Sequence, residues 1–280
     1  METKSNILVI GGTGKTGRKI VDKLTKAGHN VRIGSRSASR SFDWNDSETY
    51  KTAMQGMEKV YITFQPDLAV PGALEAIEKL TKQAKRCGVK KLVLLSGKGE
   101  REAELCEQVV IHSGIDYTIV RASWFNQNFS ESFFLEPILE GLVALPQADV
   151  KIPFVDTNDL AAVAVAALLN DAHNGEIYQI TGPRLLTFRE AIQEISEATN
   201  RTIAFTPISL AAYANAMKEQ GVPSDFVWLV EYLFSEVLGN PRNSEITHDI
   251  ERVLGRQGKD FSDYAKETAA TGVWSPKIIA

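Results

Sequence analysis

Cysteine is scarce in this chain, with only Cys87 and Cys106 among 280 residues. Both fall in helical patterns, at no metal-ligand spacing, so a disulfide framework is excluded and buried thiols in a reducing cytoplasm are expected. Histidine is nearly as sparse: His29, His112, His173 and His248 are scattered, none at ligand spacing from another His or Cys. No metal site is expected. Long apolar runs are missing too. The longest, Leu160 to Leu169, is rich in Ala and about half the length a membrane span needs, which makes it a core helix. Positive charge is not in excess, since the net charge is −4, and this argues against a nucleic-acid-binding surface. Repeats and low-complexity tracts are absent. Between Met1 and the first apolar run stand only five polar residues, too few for a signal peptide, so a cytoplasmic location is expected.

What remains is an ordinary globular composition, 44% hydrophobic and 24% charged. At this length it makes one large α/β domain, or a domain with a smaller lobe. The organising stretch is Ile7-Leu8-Val9-Ile10-Gly11-Gly12-Thr13-Gly14-Lys15-Thr16-Gly17. An apolar run of strand length stops at a glycine loop, and a helical pattern (Ile20, Val21, Leu24, Ala27) starts behind it. Glycines at 11, 14 and 17 give a tight turn, bare backbone near a pyrophosphate, and close helix-to-strand packing. The helix N-terminus then favours an anion. Gly14-Lys15-Thr16 also spells the end of a triphosphate-binding P-loop, but that motif needs a glycine where Val9 stands. The stretch reads as a dinucleotide site.

The rest of the chain alternates strand and helix. Strands are expected at 31–33, 42–46, 59–64, 91–95, 116–120 and 176–180, and helices at 71–87 (Leu74, Ile77, Leu80 and Ala84 inward) and about 99–112. This order requires a parallel sheet covered on both faces, a doubly wound α/β Rossmann fold. Residues 1–130 and 150–181 are assigned to it. Beyond Gly182-Pro183 helices dominate (187–199, 209–220, 223–238, 245–254, 260–271), with one strand at 202–206. Residues 131–149 and 182–280 are assigned to a smaller, mostly helical lobe closing over the cofactor's reactive end. At the end of the second strand, where an acidic residue would read the ribose of NAD, the chain offers Ser35 and Arg36, with Arg40 close behind and no acid before Asp43. That pattern suits the 2′-phosphate of NADP(H). NAD(H) is the second candidate. Asp43 is placed beside the adenine. Thr63, Phe64 and Gln65 end the 59–64 strand, and carboxyl-end loops form the ligand crevice.

The opening GGTGxTG, the loop at Ser96, Gly114–Arg121, Asn126-Gln127-Asn128-Phe129 and Ile152–Asp156 together resemble the NmrA-like atypical short-chain dehydrogenases. Within that family Gly34–Ser37, Phe42–Trp44, Trp124-Phe125 and Asp249–Gly255 look most like the festuclavine and agroclavine dehydrogenases. The resemblance spans nearly the whole chain. It implies cofactor contact by Gly11, Thr13, Gly14, Lys15 and Thr16 at the pyrophosphate, and by Ser35 and Arg36 at the 2′-phosphate. It further implies Thr63 and Phe64 along the ribose, Ser96, Gly97 and Lys98 near the nicotinamide ribose, and Ser123, Trp124 and Phe125 bordering the nicotinamide.

One departure matters more than these matches. Short-chain dehydrogenases ordinarily use a Tyr with a Lys four residues later, whose charge lowers the phenol's pKa. The residues four beyond the seven tyrosines here are Met54, Gln65, Arg121, Gly182, Met217, Glu236 and Thr268. On the helix after Ser96 stand Glu104 and Gln108 instead. Two functions survive. One is hydride transfer to an activated acceptor, a quinone or an iminium carbon, with Trp124, Phe125, Phe129, Phe133 and Phe134 as an aromatic wall and Glu104 as a proton relay; an exposed helix carboxylate and plain core packing are the alternative accounts of Glu104 and of Phe133 and Phe134. The other is a non-catalytic NADP(H)-binding redox sensor acting through a protein partner. The expected ligand besides the cofactor is a small, aromatic or cationic molecule, with no nucleic acid and no membrane. Monomer and homodimer are both compatible with the late helices.

Overall fold

The computed structural model describes residues 4–276. Met1–Thr3, part of the segment before the first strand, and the last four residues of the expected lobe lie outside them. The strands are β1 Asn6–Ile10, β2 Asn30–Gly34, β3 Lys59–Ile62, β4 Lys91–Gly97, β5 Asp116–Ala122, β6 Leu142–Leu145, β7 Glu176–Ile180 and β8 Ala204–Pro207. The α-helices are α1 Gly17–Lys26, α2 Glu48–Met54, α3 Ala73–Arg86, α4 Arg101–Ile111, α5 Asn128–Glu131, α6 Leu135–Glu140, α7 Thr157–Leu169, α8 Phe188–Thr199, α9 Leu210–Glu219, α10 Ser224–Tyr232, α11 Asp249–Leu254 and α12 Phe261–Ala270. They form two compact units: Met1–Ala122 with Thr157–Ile180 and Asp249–Gly255, and Ser123–Asp156 with Thr181–His248 and Arg256–Ala280.

The first unit is a parallel sheet in the order β2-β1-β3-β4-β5-β7. Its central strands are near-continuous apolar runs because both faces are covered. Ile7 to Ile10, Val60 to Ile62 and Leu92 to Leu94 have no exposed surface. Tyr50, Met54, Ile77, Leu80, Ala84, Ala103, Cys106 and Val110, from α2, α3 and α4, pack in one cluster with Leu8, Val60, Leu92 and Ile119 of the strands. The helices α1 and α7 pack together, and α7 lies against β3, β4 and β5. Leu160, Val163, Ala164 and Ala167 of α7 are fully buried, as its apolar sequence requires. Among the described residues no helix is long and apolar enough to cross a membrane. The chain leaves β1 for β2 on one side and returns to β3 on the other, which makes the carboxyl ends of β1 and β3 a topological switch point.

Several expectations need correction. Residues 42–46 form no sheet strand. Asp43 Oδ1 accepts from Asn45 N at 3.0 Å and Asp46 Oδ1 from Glu48 N at 3.1 Å, so local side-chain hydrogen bonds fold the segment into a turn. On α3, Leu74 is exposed and Ala73 takes the inward place. The 223–238 helix is α10 followed by a π-helical turn at Leu233–Val237. The expected 245–254 helix starts only at Asp249 and joins the first unit: Asp249 Oδ2 accepts from Gln179 N at 2.7 Å, and the Arg252 guanidinium lies 4.7 Å from the centre of the Tyr178 ring. Ser123–Asp156 stay together in the second unit.

The second unit carries a two-stranded parallel sheet, β6 with β8, of which only β8 was anticipated. Its core is aromatic: Phe129, Phe134, Phe154, Phe188, Phe234, Phe261 and Trp274 are all buried. Trp274 Nε1 donates to Phe129 O at 2.8 Å, which satisfies the one polar atom of the largest buried side chain.

Candidate functional site

At the end of β1, Gly11 has φ +70°, and a β-carbon there falls 2.4 Å from Thr63 Cγ2. A β-carbon on Gly17 falls 2.2 Å from Gly11 O, and one on Gly14 falls 3.3 Å from the same oxygen. The three glycines therefore let one turn of backbone fold onto itself, closed by Gly14 N donating to Gly11 O at 2.9 Å. Gly11 N donates to Gly34 O at 2.9 Å, which fixes the loop to the end of β2. Thr13 is exposed; Gly14 and Lys15 are half-buried. Thr16 is buried and accepts the Tyr61 hydroxyl at 3.0 Å, so its side chain seats the loop on β3.

Beyond β2 the chain turns sharply, Ser35 O accepting from the N–H groups of Ala38 and Phe42. Ser35 Oγ lies 3.3 Å from Ser37 Oγ. Arg36 is exposed and makes no ion pair or hydrogen bond among the described residues. Its neighbours are committed: Arg32 donates to the carbonyls of Ala53 and Gln55, both at 2.8 Å, and Arg40 reaches Gln55 O at 3.5 Å. Asp43 is held in its own turn. Phe64 packs on Trp44, ring centres 4.7 Å apart, while Gln65 Nε2 stands beside Gly14.

At the ends of β4 and β5, Ser96 pairs with Arg121 and Gly97 with Ala122 in the sheet register. Ser96 is buried, and its Oγ donates to Glu107 Oε1 at 2.6 Å. Arg121 Nε donates to both oxygens of Glu107 at 2.9 and 3.0 Å, and Nη2 donates to Oε2 at 2.5 Å. This fork raises the Arg121 pKa further above its ordinary value. Glu104, half-exposed, makes only a looser ion pair with the same guanidinium, 3.6 Å from Arg121 Nη1. The buried carboxylate of this region is thus Glu107, which sequence reasoning passed over as a neighbour of Glu104. A signal existed. Glu107 stands four residues after Ala103 and three before Val110, on the face that packs into the core. Lys98 is buried, and its N–H donates to Ala122 O at 3.0 Å. Burial beside Glu107 and Asp67 pushes the Cys106 thiol up to about 12, which leaves it protonated and inert. Cys87, expected to be buried, is only half-buried at the end of α3.

Ser123, Trp124 and Phe125 belong to the second unit. Ser123 is buried. Trp124 is half-buried among Phe134, Phe188 and Phe234, with ring centres 6.4, 5.6 and 5.3 Å away. Phe125 bridges to Val155. Of the expected aromatic wall, Phe129 and Phe134 have no exposed surface and are core side chains, whereas Phe133 reaches the surface. Asn126 is fully buried, and neither its Oδ1 nor its Nδ2 has a hydrogen-bond partner among the described residues. Among the described residues no group of three His, Cys, Asp or Glu side chains is placed to hold a metal ion.

A model of the NmrA-like family matches residues 3–263. The NAD(P)H azoreductase of Xenophilus azovorans is 28% identical over 287 residues, covering 94% of this chain and 98% of its own. The agroclavine dehydrogenase of Claviceps fusiformis is 28% identical over 286 residues, covering 96% of this chain and 98% of its own. Among solved structures, the NADPH-dependent quinone oxidoreductase QOR2 of Escherichia coli, complexed with NADPH, matches with a TM-score of 0.76 at 21% identity. That match covers 93% of this chain and 99% of the other, and it is a likeness of fold.

Proposed function

The chain belongs to the NmrA-like family, and from that premise we propose that it is an NADP(H)-dependent oxidoreductase that reduces an acceptor already activated for hydride addition, a quinone, an azo compound or a cyclic iminium. The observation that carries the reading is the glycine loop. Two positions, Gly11 and Gly17, where a side chain would collide with Thr63 or with the loop itself, and a third, Gly14, where it would be crowded, leave bare backbone at the switch point of the sheet. Such a cradle fits a pyrophosphate at the N-terminus of α1. Arg36, at the end of β2 and without a partner among the described residues, fits a 2′-phosphate, while Arg32 is held by backbone carbonyls. The nicotinamide supplies the hydride when bound.

The chain's own residues do the rest. Gly11 to Thr16 hold the phosphates. Ser96 is bonded to Glu107 and serves to fix the end of β4, so its hydroxyl is not the acid that protonates an ordinary carbonyl substrate. With no Tyr-x-x-x-Lys in the sequence, the acceptor is one that needs little protein acid.

NADPH oxidation followed against a panel of quinones, azo dyes and cyclic iminium compounds tests the reading. Turnover with one of these classes is the expected result. Tight binding of NADPH with no consumption across the panel would sink the reductase and favour the sensor; no binding of either pyridine nucleotide would sink both.

A further inference from the structure

The first unit buries a carboxyl pair that the proposed chemistry does not use. Glu100 lies in the turn between β4 and α4 and is 7% exposed. Its carboxyl fills the space a side chain on Gly97 would need: a β-carbon there falls 1.9 Å from Glu100 Oε1. Asp67, in the loop after β3, shares a hydrogen bond with it. Two carboxyls hydrogen-bond only when one holds a proton, and buried like charges this close do not both ionise. Burial raises the Asp67 carboxyl as well, but its Oδ1 accepts the Ala69 N–H at 2.8 Å, which offsets part of that rise. Glu100 Oε2 has no hydrogen-bond partner among the described residues, and burial, then Asp67, Glu102 and Glu107, all oppose its charge. Its ionisation lies well above the carboxylate range, so the proton rides on Glu100 and is donated to Asp67.

The same loop touches the glycine turn. Thr63 packs on Gly11, Gln65 Nε2 stands at Gly14, and two residues on Asp67 meets Glu100 above Gly97. A continuous line of contacts thus joins the phosphate cradle to the end of β4.

We propose that the Glu100–Asp67 hydrogen bond is a proton-dependent latch that ties the loop after β3 to the turn after β4 and so positions Thr63, Gln65 and Gly97 for the cofactor. It rests on the reading of the glycine loop as an NADP(H) site. Both carboxyls are positioning residues. Loss of the shared proton sets two buried negative charges against each other and releases the loop. Because the folded protein holds the proton more tightly than an ordinary glutamate does, the latch is complete below the ordinary value of 4.5 and weakens as pH rises through the raised one.

The test is calorimetric titration with NADP⁺, from neutral to alkaline pH, of the wild type, Glu100→Gln and Glu100→Ala. Wild-type affinity is expected to fall by up to about tenfold per pH unit once the pair titrates. Glu100→Gln, whose amide donates the same bond without a titrating proton, is expected to hold its neutral-pH affinity, and Glu100→Ala to bind more weakly throughout. Titration of the ligand's own phosphate is common to all three and cancels in the ratio. A wild-type curve that tracks Glu100→Gln at every pH overturns the latch. Infrared spectra of the cofactor-free protein give a second readout: the carbonyl band of a protonated acid is expected in the wild type and lost in Glu100→Gln, and its absence from the wild type also overturns the proposal. If the band is present but no variant binds NADP⁺, the cofactor reading and the positioning role fail together, while the shared proton stands.

Discussion

Arg121 grips Glu107 through three N–H···O contacts at a point where the carboxylate has no exposed surface, and Ser96 adds a fourth from the neighbouring strand. The pair ties α4 to β5 and β4 at the carboxyl end of the sheet. Removing only the cation leaves a buried charge uncompensated, which costs about 3–5 kcal/mol. Arg121→Ala is therefore expected to lower urea stability by that order, and Ser96→Ala by about 1–3 kcal/mol. Glu104→Ala, at the exposed rim, is expected to change stability by less than about 1 kcal/mol.

The contrast between Glu107 and Glu104 shows what was legible. The parallel sheet was readable because buried strands carry unbroken apolar runs such as Ile7–Ile10, and the glycine loop because its spacing answers a backbone need. Residues 42–46 misled because Phe42 and Trp44 alternate like a strand while Asp43 and Asp46 bond their own backbone. The Glu107 and Glu100 carboxyls were hidden by composition. Four glutamates crowd positions 100 to 107, and only the partners, Arg121 on β5 and Asp67 after β3, distinguish the buried ones. The aromatic residues near 124–134 read as a wall in sequence. Which of them line a surface was decided by side chains far along the chain, such as Phe188, Phe261 and Trp274.

Gly17 and Gly28 make a controlled comparison. Gly17→Ala drives a methyl group to 2.2 Å from Gly11 O, so the loop must shift although Ala favours a helix. NADPH affinity is expected to fall more than about tenfold with the fold retained by circular dichroism, a loss of at least about 1.4 kcal/mol. Gly28 has φ +85° but nothing within 4 Å of an added β-carbon. Gly28→Ala is expected to cost about 1 kcal/mol of stability and leave NADPH affinity unchanged.

Arg36 and Arg32 stand four residues apart with opposite commitments. Loss of a charge-assisted contact to a phosphate costs about 1.5–3 kcal/mol, so Arg36→Asp is expected to shift preference from NADPH toward NADH by roughly ten- to hundredfold. Arg32→Ala strips two hydrogen bonds from the end of α2 and is expected to lower the melting temperature with the preference intact. Equal Kd ratios for the wild type and Arg36→Asp would remove Arg36 from the phosphate subsite.

In the second unit Arg184 Nε and Nη2 donate to the two oxygens of Asp260 at 2.6 and 2.7 Å. Those bonds, with the Ser262 N–H at 2.8 Å, hold the Asp260 carboxyl at about 2. The folded value is depressed, so the stabilisation is present above the ordinary 3.8 and is lost as pH falls through about 2. Asp260→Asn keeps a side chain able to cap α12 but removes the charge. It is expected to be less stable at neutral pH, with a shallower loss of stability over that acid interval. Parallel acid-unfolding curves for the two proteins would contradict the assignment.

Asn126 gives the opposite sign. A fully buried amide with no partner on either atom among the described residues is costly, by about 1–3 kcal/mol for each group left unsatisfied. Folding stability alone does not account for it, because an apolar side chain of similar volume would fit the same space without the penalty. Asn126→Leu is therefore expected to raise the stability of the cofactor-free protein by about 1–3 kcal/mol in urea unfolding. If the amide is kept for a ligand, the same variant raises KM for the acceptor while kcat changes little, because a bond made equally in ground and transition state is what has been lost. A variant no more stable than the wild type would mean that the amide finds ordered water in solution, and its burial would then need no ligand to explain it.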